Sequence, residues 1–173
     1  DPCHQKGIVG DMEEGVISGD EFCAEVLKES RPGARAEDVK AAFMHILAGI
    51  PAYKGPFLNR LAESYDIYIL SNNNPIVASN MSVLFAGVGV DYQTLFKKSF
   101  LSYEMKALKP SEEFYKRVIE QIDHPIEDLI FIDDSQKNVD GALAVGLPSV
   151  YYDPTSDLAA LLAEVLGDPS LAE

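Results

Sequence analysis

Leu129-Ile130-Phe131-Ile132-Asp133-Asp134-Ser135-Gln136-Lys137-Asn138-Val139-Asp140-Gly141-Ala142 is the stretch on which the fold turns. A short apolar run followed at once by two carboxylates and a helical pattern reads as a buried parallel strand feeding a helix. Adjacent carboxylates at the tip of a buried strand repel one another, and burying them uncompensated is costly. A hard divalent cation resolves that conflict. Oxygen donors with no organised His or Cys point to Mg2+, the alternative being two solvated loop aspartates. Ser135 is placed to cap the following helix, small Gly141 and Ala142 to let it lie close against the sheet, and Gly146 to stop it.

Outward from this stretch the same grammar repeats. Ile67 to Leu70, Lys98 to Leu101 and Ser149 to Tyr152 are further short apolar runs. Helical patterns separate them at about Pro56 to Ser64, Pro75 to Phe85, Ser111 to Gln121, Gln136 to Val145 and Ser156 to Val165. Strands alternating with helices predict a doubly wound α/β arrangement with a parallel sheet. The first fifty residues differ, with helical signals and no good strand. Ser18 and Glu21 have capping-box spacing ahead of Phe22, Val26 and Leu27, and Arg31-Pro32-Gly33 breaks that helix. A second helix is predicted from about Glu37 to Leu47. The expected organisation is a helical portion over 1–52 and an α/β portion over 53–173.

In such sheets ligands collect where strands end and the next loop turns into a helix. After the first run come Ser71, Asn72, Asn73, Asn74 and Pro75. A hydroxyl at a strand tip, with backbone N–H groups nearby, suits a phosphate, and the same residues suit a plain helix cap. Lys109-Pro110 precedes another helix, Pro110 fitting its first turn and holding Lys109 extended. An ammonium there could neutralise a phosphate or a carboxylate, or simply be solvated.

Composition narrows the partners. The 173 residues carry 14 Lys and Arg against 28 Asp and Glu, a formal net charge of −14. So acidic a surface repels a phosphate polymer, which argues against nucleic acid. No apolar run is long enough to predict a membrane span. Cys3 and Cys23 fit no metal or redox spacing, as expected of idle thiols in the cytoplasm. His4, His45 and His124 lie outside the motifs.

The motif order resembles that of haloacid-dehalogenase-like (HAD) hydrolases: Ser71 after one core strand, Lys109 before a proline, then Asp133-Asp134 after a later strand. The resemblance covers about Pro56 to the end, and the N-terminal part looks like the remainder of that family's helical cap. The segment Gly15 to Phe22, GVISGDEF, and Asp133 to Ala142 look most like the branch that includes α-glucose-1-phosphate phosphatases. The resemblance implies a Mg2+-dependent phosphatase acting on a small phosphorylated metabolite, such as a sugar phosphate, through an aspartyl phosphate. It implies that Ser71 binds phosphate with the backbone N–H of Asn72, and that Lys109 bridges the phosphate and the nucleophilic aspartate. Asp134 would hold Mg2+, with Asp133 also a catalytic and metal-binding candidate, directly or through water. Asn138 would support their loop.

The family's Asp-x-Asp motif after an N-terminal apolar strand is not found in this sequence. Asp11 to Glu14 follow no apolar strand, and Asp91 lacks a second Asp two places on. The expectation is that the nucleophile and its central strand belong to an N-terminal extension, and that these residues alone do not turn over phosphate esters. The acidic pair argues against a 2-haloacid dehalogenase, whose late motif is not acidic. A β-phosphoglucomutase-like phosphomutase and a non-catalytic HAD-fold binding module stay open.

Overall fold

The computed structural model describes residues 6–45 and 49–172, so Cys3 and His4 lie outside it. Two compact units divide the chain between Leu108 and Lys109.

The N-terminal unit opens with three helices, α1 (Gly7–Glu13), α2 (Gly19–Lys28) and α3 (Ala36–His45). Ser18 and Glu21 close a reciprocal capping box that starts α2, satisfying two otherwise orphaned N–H groups. Phe22 and Cys23 then face a cluster with Met12 and Ile76, bordered by Val39 and Phe43. The rings of Phe22 and Phe43 meet edge-on, with centroids 5.5 Å apart. Burying each such large side chain contributes about 1.5–3 kcal/mol.

Next come α4 (Lys54–Leu61), β1 (Ile67–Ser71), α5 (Pro75–Ala78), α6 (Met81–Ala86), α7 (Tyr92–Leu95), β2 (Phe96–Leu101) and α8 (Ser102–Met105). The single helix expected over Pro75 to Phe85 is two. Ser79 Oγ and Asn80 Nδ2 both donate to the Ile76 carbonyl, at 2.8 and 3.0 Å, while the Asn80 N–H turns to Val77. Side chains competing for a helical carbonyl break the ladder there. Strands β1 and β2 are parallel, and their last residues, Ser71 and Leu101, stand in register.

The C-terminal unit holds α9 (Glu112–Ile119), β3 (Phe131–Asp133), α10 (Gln136–Ala144), β4 (Ser149–Tyr151) and α11 (Leu158–Leu166). Ser111 caps α9, so Pro110 stands ahead of the helix rather than in its first turn, and the Lys109–Pro110 peptide is cis. Strand β3 begins later than the apolar run suggests. A 3-10 turn occupies Ile126–Asp128, and β3 pairs in parallel with β4 only from Phe131 on. Phe114, Tyr115 and Val118 of α9 are buried with Phe131 and Val139. The Tyr115 ring stands 5.6 Å from that of Phe131.

Helix α10 ends in a Schellman turn: Gly146 N–H bonds Leu143, Leu147 N–H bonds Ala142, and Gly146 has φ +84°. Ser135 is the first-turn cap position, yet its side chain makes no capping bond. Gly141 serves a closer neighbour than the sheet. A β-carbon there would stand 2.5 Å from the Pro110 carbonyl oxygen and 2.8 Å from its Cβ. The molecule is therefore α/β, with parallel strands in two two-stranded sheets, β1–β2 and β3–β4. Among the described residues, no helix is long and apolar enough to cross a membrane.

Candidate functional site

The loop from β3 into α10 is organised around one carboxylate. Asp133 Oδ1 accepts from the Ser135 N–H and from Asn138 Nδ2, both at 2.9 Å. Its Oδ2 accepts from Lys109 Nζ at 2.6 Å, and both side chains of that ion pair are under a tenth exposed. A carboxylate offers about four acceptor positions, so three are taken by this chain's own donors. The feared repulsion of two buried carboxylates is thus resolved by separation: Asp133 is paired inside, and Asp134 is exposed. Charge-assisted bonds of this length hold a side chain in one orientation.

Two further residues brace this arrangement. Tyr115 donates its hydroxyl to the Asn138 carbonyl at 2.7 Å, fixing the first turn of α10 from beneath. Burial first, and the Asp133 charge second, push the Tyr115 phenol well above its ordinary range, so it remains a donor. Lys109 Nζ also lies 5.3 Å from the Phe131 ring centroid, a cation–π distance.

The loop from β1 into α5 works differently. Ser71 and Asn72 sit at the strand's end, and Ser71 Oγ donates to the Asn72 carbonyl at 3.3 Å. Asn73 and Asn74 are buried. Asn74 N–H bonds Asn73 Oδ1 at 2.8 Å, and Asn74 Oδ1 accepts from the N–H groups of Ile76 and Val77, each at 3.1 Å. The helix start is therefore capped by its own asparagine. Both of those amides are already bonded, as is the Asn73 N–H, to Ser102 Oγ at 2.9 Å, so among the loop's groups the Ser71 hydroxyl and the Asn72 backbone are the candidates to meet an anion.

The structure thus gathers Lys109, Asp133, Ser135 and Asn138 into one network of the C-terminal unit, and holds Ser71 and Asn72 in the N-terminal unit. Among the described residues, no three His, Cys, Asp or Glu side chains cluster closely enough to hold a metal by themselves. Tyr115, and Ser102, whose Oγ accepts from the Asn73 N–H at 2.9 Å, are the participants that sequence reading missed. Tyr115 hides in the apolar stripe of α9. Ser102 directly follows an apolar strand, the same position that drew attention to Ser71.

No family model matches the chain. A D-ribitol-5-phosphate phosphatase of Bacteroides thetaiotaomicron is 30% identical over 140 residues, covering 80% of this chain and 68% of that protein. Drimenol cyclase drtB of Aspergillus calidoustus is 29% identical over 170 residues, 94% of this chain but 31% of that larger protein. Among solved structures, a HAD family enzyme of Bacteroides thetaiotaomicron in complex with magnesium and inorganic phosphate superposes with a TM-score of 0.84. It is 31% identical, over 91% of this chain and 80% of that one. A HAD-like family hydrolase of Porphyromonas gingivalis gives 0.82 at 28% identity, over 93% and 79% of the two chains. Motif order, fold and these relatives agree: the chain belongs to the HAD-like hydrolase superfamily.

Proposed function

We propose that this chain carries the magnesium-binding and phosphate-handling part of a phosphatase acting on a small phosphorylated metabolite, of the phosphorylated sugar or polyol class. The observation that carries this reading is the buried Lys109–Asp133 pair at a strand end, beside exposed Asp134. The phosphatase relative and the magnesium and phosphate bound to the Bacteroides enzyme support it.

The donor set fits a hard cation. Magnesium keeps several waters and takes one or two protein carboxylates together with substrate oxygens, so a full protein cage is not required. Asp134 would hold it, with Asp133 as a further ligand or as the support of the loop. Bound there, the ion would neutralise charge on the phosphoryl oxygens. Lys109, oriented by Asp133, holds a positive charge where charge develops on the transferred group. Ser71 Oγ and the Asn72 N–H would bind the phosphoryl oxygens. In this reading residues 1–52 belong to a helical cap and 53–173 to the catalytic core. The Asp-x-Asp motif that would supply the attacking aspartate is not found among these residues.

The test is phosphate release from a panel of phosphorylated sugars and polyols, using the natural protein with any residues that precede Asp1. Release with Mg2+ that stops on adding EDTA is expected. Lys109→Ala and Asp134→Asn should each lower kcat/KM by about 100-fold, the scale of removing one electrostatic contact from a transition state. No release from any member of the panel would overturn the phosphatase and favour a non-catalytic binding module.

A further inference from the structure

Buried polar groups call for an explanation, because folding tolerates them only when they are satisfied. Among the described residues, Glu13, Asn73, Asn74 and Ser102 are buried polar side chains of the N-terminal unit. Hydrogen bonds connect the four residues into one chain, Glu13 through its backbone carbonyl rather than its carboxylate, whose buried Oε2 accepts no hydrogen bond among the described residues. Ser102, fully buried, is the node. Its Oγ accepts from the Asn73 N–H at 2.9 Å, and its single proton lies between the carbonyl oxygens of Glu13 at 2.6 Å and Asn73 at 3.0 Å.

The register of the sheet explains how this residue reaches the loop. Ser71 and Leu101 are partners at the ends of β1 and β2, so the next residue, Ser102, leaves the sheet beside the chain leaving Ser71. The Asn73 N–H belongs to the same peptide plane as the Asn72 carbonyl. Ser102 therefore fixes the plane that follows Asn72, and Asn74, bonded to Asn73 Oδ1, continues the constraint into α5. The other arm ends on α1, whose last residue is Glu13. Lys106 adds a second tie, from Nζ to the Gly15 carbonyl at 2.5 Å.

We infer that Ser102 is a positioning residue for anion binding: its hydroxyl holds the Ser71–Asn72 loop in the conformation that presents the Ser71 hydroxyl and the Asn72 amide to a phosphoryl group. The inference rests on the phosphate role proposed for Ser71. It does not make Ser102 a catalytic residue, because its oxygen is wholly engaged with backbone.

Calorimetric titration of the natural protein with inorganic phosphate, and separately with Mg2+, tests it. Ser102→Ala should raise the phosphate Kd about tenfold, the scale of one lost hydrogen bond at a buried group, and leave the Mg2+ Kd unchanged. Ser102→Thr, which keeps the hydroxyl, should retain most of the phosphate affinity. A Ser102→Ala protein that melts earlier but binds phosphate like the wild type would overturn the inference and leave a purely structural serine. Ser71→Ala separates the two levels. If it too leaves phosphate binding intact, the phosphate loop itself is wrongly assigned. If Ser71→Ala weakens binding and Ser102→Ala does not, only the positioning role fails. Should Ser102→Ala not fold, hydrogen exchange at the Asn73 amide of the wild-type protein decides. Slow exchange with and without phosphate is expected, and fast exchange without phosphate would sink the idea.

Discussion

The two strand-end loops solve the same problem, a turn whose backbone leaves the sheet ladder, by different physics. The loop after β3 is built on charge: one carboxylate collects an ammonium, an amide and a backbone N–H. The loop after β1 holds no charged residue from Ser71 to Asn74 and is built on neutral bonds, from Asn73, Asn74 and the Ser102 hydroxyl. An ionic network is stronger per contact but fails badly when one member is lost, because the survivor is a buried charge. A neutral network fails more gently, at roughly the cost of one unsatisfied group.

The sharpest way to break this contrast is Lys109→Met. It should destabilise the protein by about 3–5 kcal/mol in urea unfolding, with Asp133→Leu in the same chain recovering much of the loss. A single-variant loss below that of a neutral cap would mean the pair is not buried in solution. Next in size is Gly141→Ala, whose added carbon meets the Pro110 backbone rather than a movable side chain. About 1–3 kcal/mol should be lost, together with phosphatase activity, since the displaced loop carries Lys109. Asn138→Ala removes one neutral donor from Asp133 and should cost about 1–2 kcal/mol by thermal melting.

On the other loop, Asn74→Ala deletes the α5 cap and should cost about 1 kcal/mol. The smallest effect concerns pH. The Ser18 backbone N–H, and then its hydroxyl, hold the Glu21 carboxyl below its ordinary value of 4.5. A carboxyl depressed on folding stabilises above its unfolded value and loses that contribution as pH falls through the folded one. The melting difference between wild type and Glu21→Gln should therefore be greatest at neutral pH and vanish in acid. A difference that persists in strong acid would show that the box does not depend on ionisation.

Much of this was legible in the residues, and the parts that were not share a cause. Asp133-Asp134 announces itself because acid at the end of an apolar run has few explanations, and the α2 box is readable because its spacing is its mechanism. Which aspartate goes inside was not readable, since that depends on Lys109 arriving from a distant loop. The break between α5 and α6 depends on two side chains preferring one carbonyl, a competition that helical periodicity does not register. Ser102 was invisible for a similar reason. Its place after a strand matches that of Ser71, but only the register shows that it stands beside Asn73.

The near-contact of Gly141 with Pro110 bears on how the ion pair responds to its surroundings. Steric repulsion between backbone segments is blind to ionic strength, and the attraction of buried Lys109 for Asp133 is screened far less than that of an exposed pair. Helix α10 and the Lys109 loop are thus spaced by contact, and the charges act across a gap they did not set. Added salt would therefore weaken the pair little and would not move its two halves apart. A lysine stationed in this way meets an arriving anion with its direction already chosen, so little reorganisation is left for the moment of binding.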